Sequence, residues 1–160
     1  MPRAELILDL ARQHGLMITT AESCTGGMVM AALTDIAGSS SVVERGFITY
    51  SNEAKHEMLG VQMATLQDHG AVSEEVAAEM ASGALAHSIA QLAVSITGIA
   101  GPGGSEFKPE GRVCFGVADD DGTRTETKEF GALGRAKVRE SARDYALDLL
   151  HDALIKTASA

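Results

Sequence analysis

Ser23 stands in Thr19-Thr20-Ala21-Glu22-Ser23-Cys24-Thr25-Gly26-Gly27, a polar stretch between two apolar runs. A serine hydroxyl in a turn that leads into a helix can act as a nucleophile, because the first backbone N–H groups of a helix lack intrahelical partners and stabilise developing negative charge. Gly26 and Gly27 suit such a turn, since a residue without Cβ tolerates positive φ and lets a ligand approach the backbone. The alternative is an ordinary strand-to-helix corner in which Ser23 or Thr25 only caps the helix. Cys24 rivals Ser23, because a thiolate at a helix N-terminus is also a credible nucleophile. A base is available in Thr49-Tyr50-Ser51-Asn52-Glu53-Ala54-Lys55, a second strand-to-helix junction. Lys55 falls in the first turn of its helix, where the dipole and partial burial both disfavour the ammonium and lower its pKa from about 10.4. A neutral lysine there could take the Ser23 proton, with Tyr50 holding the amine or relaying the proton. The alternatives are a solvated Lys55 and a core-edge Tyr50, and Glu22 either orients the turn or is solvated.

These residues need elements to position them. Leu6, Ile7, Leu10 and Ala11 recur at helical spacing after Pro2 and predict a helix over 4–14. A strand over 16–20, a helix over 26–36, a Gly-Ser loop at 38–41 and a β-rich run over 42–50 follow. A short helix over 52–59 ends at Gly60. Ser73 caps a long alanine-rich helix to about Ile89. The apolar strand 92–97 empties into Gly98-Ile99-Ala100-Gly101-Pro102-Gly103-Gly104-Ser105, too glycine-rich for an element interior. Strands over 112–118 and 124–130 flank Asp119-Asp120-Asp121-Gly122-Thr123, a hairpin signal. A helix over 134–156 closes the chain, with Val138, Ala142, Tyr145, Leu149 and Ala153 on one face.

This rhythm predicts an α/β fold, a three-layer α/β/α sandwich with a mixed sheet of about five strands, in one domain over 1–160. Ligands of such sheets bind beyond the carboxyl ends of the parallel strands. The loops after Thr20 and Thr97 both leave at that end, so if their strands are neighbours they face one pocket.

Composition excludes several functions. The chain has 160 residues and a net charge of −9, with 13 scattered Lys and Arg. That balance argues against nucleic acid as a partner, although one locally basic pocket could hold an anionic small molecule. No apolar run reaches the length of a membrane span and no signal-peptide core is present, so a cytoplasmic protein without a membrane partner is expected. Cys114 lies in an apolar run and reads as a small buried hydrophobe. The five histidines, at 14, 56, 69, 87 and 151, show no metal-ligand spacing, and no metal is expected. A P-loop is excluded, since no GxxxxGK[ST] occurs.

Thr20 to Gly27, Thr49 to Lys55, Gly70-Ala71-Val72-Ser73 and Thr97-Gly98-Ile99-Ala100-Gly101-Pro102 together resemble the CinA carboxy-terminal domain family in order and spacing, over about residues 4–155. That family includes stand-alone nicotinamide mononucleotide deamidases. The resemblance implies hydrolysis of the nicotinamide carboxamide to nicotinate mononucleotide and ammonia in pyridine nucleotide salvage, with no metal or organic cofactor. It makes Ser23 the nucleophile and Lys55 and Tyr50 its catalytic partners. The N–H groups of Thr25, Gly26 and Gly27 would hold the oxyanion, and Thr97, Gly98 and Gly101 would line the pocket. A nucleotide-binding module without chemistry is the alternative, and it would need neither Ser23 nor Lys55.

Two stretches depart from the family pattern. The loop over 101–111 is one residue shorter and lacks an Asp after the proline, and Glu110 stands where a small apolar residue is common. Phe130-Gly131-Ala132-Leu133-Gly134-Arg135 replaces a shorter Gly-Asp-Arg stretch, which leaves Arg135 and Arg139 to contact phosphate or to be solvated, as exposed arginines usually are. The acidic surface and short chain allow a homo-oligomer, a dimer being the commonest symmetric form.

Overall fold

The computed structural model describes residues 1–105 and 107–159. One sheet runs in the order β2-β1-β3-β4-β5. Its strands are β1 (Ile18–Glu22), β2 (Phe47–Ile48), β3 (Leu92–Gly98), β4 (Arg112–Asp119) and β5 (Gly122–Glu129). β1 is parallel to both β2 and β3, whereas β4 and β5 are antiparallel additions, so the sheet is mixed. The helices are α1 (Arg3–Gln13), α2 (Met28–Thr34), α3 (Asn52–Leu59), α4 (Met63–His69), α5 (Glu74–Ala86) and α6 (Arg135–Ser159). α1, α2 and α6 cover one face of the sheet and α3, α4 and α5 the other.

Alternation along β3 and β4 decides how closely each helical layer approaches. Val94 and Ile96 of β3 pair with Val117 and Phe115 of β4, and all four enter the large cluster under α1 and α6. The opposite face carries Ala93, Ser95, Gly116 and Ala118. These small residues let α5 sit almost on the strands: Ser95 Oγ donates to the Ala77 carbonyl at 2.6 Å, and a Cβ at Gly116 would stand 2.6 Å from that same oxygen.

Several boundaries differ from the sequence reading. β1 continues through Glu22, and all five of its residues are buried, because its polar side chains find partners inside the fold. Thr19 Oγ1 donates to the Arg45 carbonyl and Thr20 Oγ1 to Glu22. The β-rich run over 42–50 shrinks to a single bridge at Val43 and the two-residue β2, since the Arg45 carbonyl is bound by a side chain instead of by a ladder N–H. α4 was not expected. It buries Leu66, and Glu79 of α5 holds it by accepting from the Gln62 N–H and the Thr65 hydroxyl. The hairpin is tighter than expected, with Asp119 already paired to Gly122. Within the altered loop over 101–111, Glu106 lies outside the described residues.

Candidate active site

The turn after β1 is locked to β3, because the Ser23 N–H donates to the Ile96 carbonyl at 2.9 Å. This contact makes the two glycine loops neighbours at the carboxyl ends of parallel strands, as the strand arrangement requires. Ser23 is 7% exposed. Gly26 and Gly27 adopt φ of 58° and 105°, the left-handed conformation that lets the chain turn into α2.

The front of α2 is already occupied by this chain. Glu22 is fully buried and accepts from the N–H groups of Gly27, Val29 and Met30 at 3.0 to 3.1 Å. The Gly26 N–H donates to the Ser23 carbonyl. The positive end of the helix therefore stabilises an internal carboxylate, and Glu22, expected to be solvated or merely to orient the turn, is its cap. Neither Gly26 nor Gly27 offers the oxyanion donor expected of it, and neither glycine nor Thr25 lines the cavity. The Thr25 N–H carries no hydrogen bond among the described residues, and the Cys24 N–H meets only the thiol of its own residue.

Lys55 comes from α3, whose N-terminus is capped by the Ser51 hydroxyl accepting from the Ala54 N–H. Its side chain is 1% exposed. Nζ lies 2.9 Å from Ser23 Oγ, 2.9 Å from the Thr49 carbonyl and 3.4 Å from the Tyr50 carbonyl. A neutral amine has two hydrogens and one lone pair. The two carbonyls take the hydrogens, and the lone pair is left facing the serine. Burial lowers the Lys55 pKa to about 8, so the required neutral form exists near physiological pH. The helix dipole invoked from sequence is not the main cause.

The same burial acts oppositely on the rival nucleophile. Cys24 packs in the apolar cluster under α6, and desolvation pushes its thiol up to about 12, with the nearby Arg139 and Lys55 charges opposing weakly. It is a neutral thiol at physiological pH. Cys114 is buried as expected, its Sγ 3.5 Å from Thr127 Oγ1.

Tyr50 is 64% exposed, and its hydroxyl accepts from Arg135 at 2.7 Å at the mouth of the cavity. Only its backbone carbonyl meets Lys55, so a proton relay through the phenol has no geometric support. Thr97 and Gly98 line the cavity, with the Thr97 hydroxyl donating to the Ala71 carbonyl at 2.9 Å. The opposite wall is the loop from Gly101 to Ser105, and the space enclosed is about 370 Å³.

Both arginines read as solvated are engaged. Arg135 also donates to the Gly101 carbonyl at 2.6 Å, and Arg139 donates to the carbonyls of Cys24 and Thr25 at 2.9 and 3.5 Å. Their spacing of four places both on one side of α6, a signal visible in the sequence, but the carbonyls they meet are more than 30 residues away.

The model of the CinA C-terminal domain family matches residues 2–154. The nicotinamide-nucleotide amidohydrolase PncC of Escherichia coli K12 is 52% identical over 151 residues, covering 94% of this chain and 92% of that protein. Among solved structures, the competence/damage inducible protein CihA from Agrobacterium tumefaciens superposes with a TM-score of 0.84 at 48% identity, covering 93% of this chain and 95% of that one. A competence or damage-inducible protein from Enterobacter asburiae gives a TM-score of 0.91 at 34% identity, covering 95% and 96%. Similarity thus extends over sequence, sheet and helical layers alike, and the chain belongs to the CinA C-terminal domain family.

Proposed function

We propose that this protein is a nicotinamide-nucleotide amidohydrolase that converts nicotinamide mononucleotide and water to nicotinate mononucleotide and ammonia. The observation that carries the mechanism is the buried Lys55 amine 2.9 Å from Ser23 Oγ. The Ser23 oxygen attacks the carboxamide carbon while its proton passes to Nζ of Lys55. The carbonyl π electrons move to oxygen, and the oxyanion is received by the N–H of Cys24, which lines the cavity beside Ser23. Collapse breaks the C–N bond, Lys55 returns the proton to the leaving nitrogen, and ammonia departs. Water then attacks the acyl ester with Lys55 again as base, releasing the carboxylate and restoring Ser23. Thr97, Gly98 and Gly101 shape the nucleotide pocket, and Tyr50 contributes its carbonyl to Lys55 and its ring to the mouth. No metal or organic cofactor enters this scheme.

A module that only binds nucleotide would gain nothing from desolvating a lysine against a serine, which favours the enzyme. No described helix is long and apolar enough to cross a membrane. We place the reaction in cytoplasmic pyridine nucleotide salvage, on one domain spanning 1–160 and carried as a homo-oligomer. The test is ammonia release from nicotinamide mononucleotide by the purified protein, with Ser23→Ala in parallel. Release that requires Ser23 supports the scheme, and a fully active Ser23→Ala protein overturns it.

A further inference from the structure

We propose that Glu110 is a positioning residue that fastens the outer wall of the pocket to the start of α6 and so sets how tightly the substrate is held, an inference that rests on the amidohydrolase reading. Its carboxylate accepts from two backbone N–H groups, that of Gly103 at 2.7 Å and that of Gly134 at 2.9 Å. Gly103 belongs to the pocket wall, and Gly134 immediately precedes α6. The side chain also packs flat on the wall, since a Cβ at Gly101 would stand 2.6 Å from Glu110 Cδ. The chain beside Glu110 is tied to the residue just past β3, because the adjoining Gly111 N–H donates to the Ile99 carbonyl at 2.8 Å.

The consequence reaches the mouth through Arg135. This arginine follows Gly134 directly and donates to both the Gly101 carbonyl and the Tyr50 hydroxyl. Glu110 thereby packs against Gly101, whose carbonyl Arg135 grips, and holds the backbone from which Arg135 extends. Ser23 and this wall line the same cavity, so a nucleotide whose carboxamide meets Ser23 has the wall beside it. Both partners of Glu110 are donors, so the site needs two acceptor oxygens. A glutamine keeps the contact with Gly101 but supplies one acceptor and turns an amide toward the second N–H. Lys55 and Ser23 hold one another without Glu110, so the chemical step is expected to survive its loss.

Glu110→Ala is expected to raise KM for nicotinamide mononucleotide about tenfold while kcat stays within about twofold, and Glu110→Gln to raise KM by a smaller factor. In an Arg135→Ala background, Glu110→Ala is expected to add less than about twofold, because the two act as a unit. Unchanged KM in both Glu110 variants, or a loss confined to kcat, overturns the proposal. If the unaltered protein releases no ammonia, the amidohydrolase reading falls, and the clamp is read from amide hydrogen exchange at Gly103 and Gly134. Faster exchange at both in Glu110→Ala upholds the clamp, and unchanged exchange overturns it.

Discussion

Lys55 and Ser23 lie 32 residues apart in the chain, yet their side chains meet at 2.9 Å where both are buried. Taking the lysine out of water lowers its pKa to about 8. A base must be unprotonated to act, so kcat/KM for ammonia release should rise with pH on a limb centred near 8. Lys55→Arg, which stays protonated, should lose at least about a hundredfold and show no such limb. A pH-rate profile over pH 6 to 10 checks both.

The same shift makes stability depend on pH. Between about 8 and 10.5 the unfolded chain keeps the Lys55 proton that the folded chain has released, so folding stability rises with pH across that window. The difference amounts to roughly 3 kcal/mol, present as a cost below pH 8 and gone above the unfolded value. Chemical denaturation of the unaltered protein and of Lys55→Met at pH 7.5 and 10 should show this increment only in the former.

Ser23→Ala should lower kcat by at least about ten thousandfold, as loss of a covalent nucleophile does, while nucleotide binding by calorimetry persists. Cys24→Ala should remain within a few fold of the unaltered enzyme, because its thiol is held protonated with a pKa of about 12. An inactive, folded Cys24→Ala protein would transfer the chemistry to the neighbouring residue.

Tyr50→Phe should cost less than about tenfold, since the phenol bonds Arg135 and only the backbone carbonyl touches Lys55. A loss above about a hundredfold would instead indicate proton transfer through the hydroxyl.

Glu22→Gln should destabilise the fold by about 2 to 4 kcal/mol, because the variant presents an amide group to helix N–H donors in a site closed to water. Thermal and denaturant unfolding measure it. A variant as stable as the unaltered protein would show that the buried carboxylate is not what holds the front of α2.

The sequence by itself determined the alternation of strands and helices apart from α4, the two polar junctions that carry Ser23 and Lys55, and the glycine loop after Thr97. These are legible because periodicity, capping residues and glycine clusters act over a few neighbouring residues. Tertiary structure alone decided that Lys55 faces Ser23 while burial keeps Cys24 a thiol, that Glu22 takes the Gly27 N–H read as an oxyanion donor together with those of Val29 and Met30, and that Tyr50 turns to Arg135. It also reduced the 42–50 run to β2 and formed α4 around Glu79. Each of these outcomes depends on which distant donor, acceptor or apolar surface reaches a side chain first, and on whether water is excluded there. Such conditions arise only when the layers pack together, so no local pattern in the chain records them.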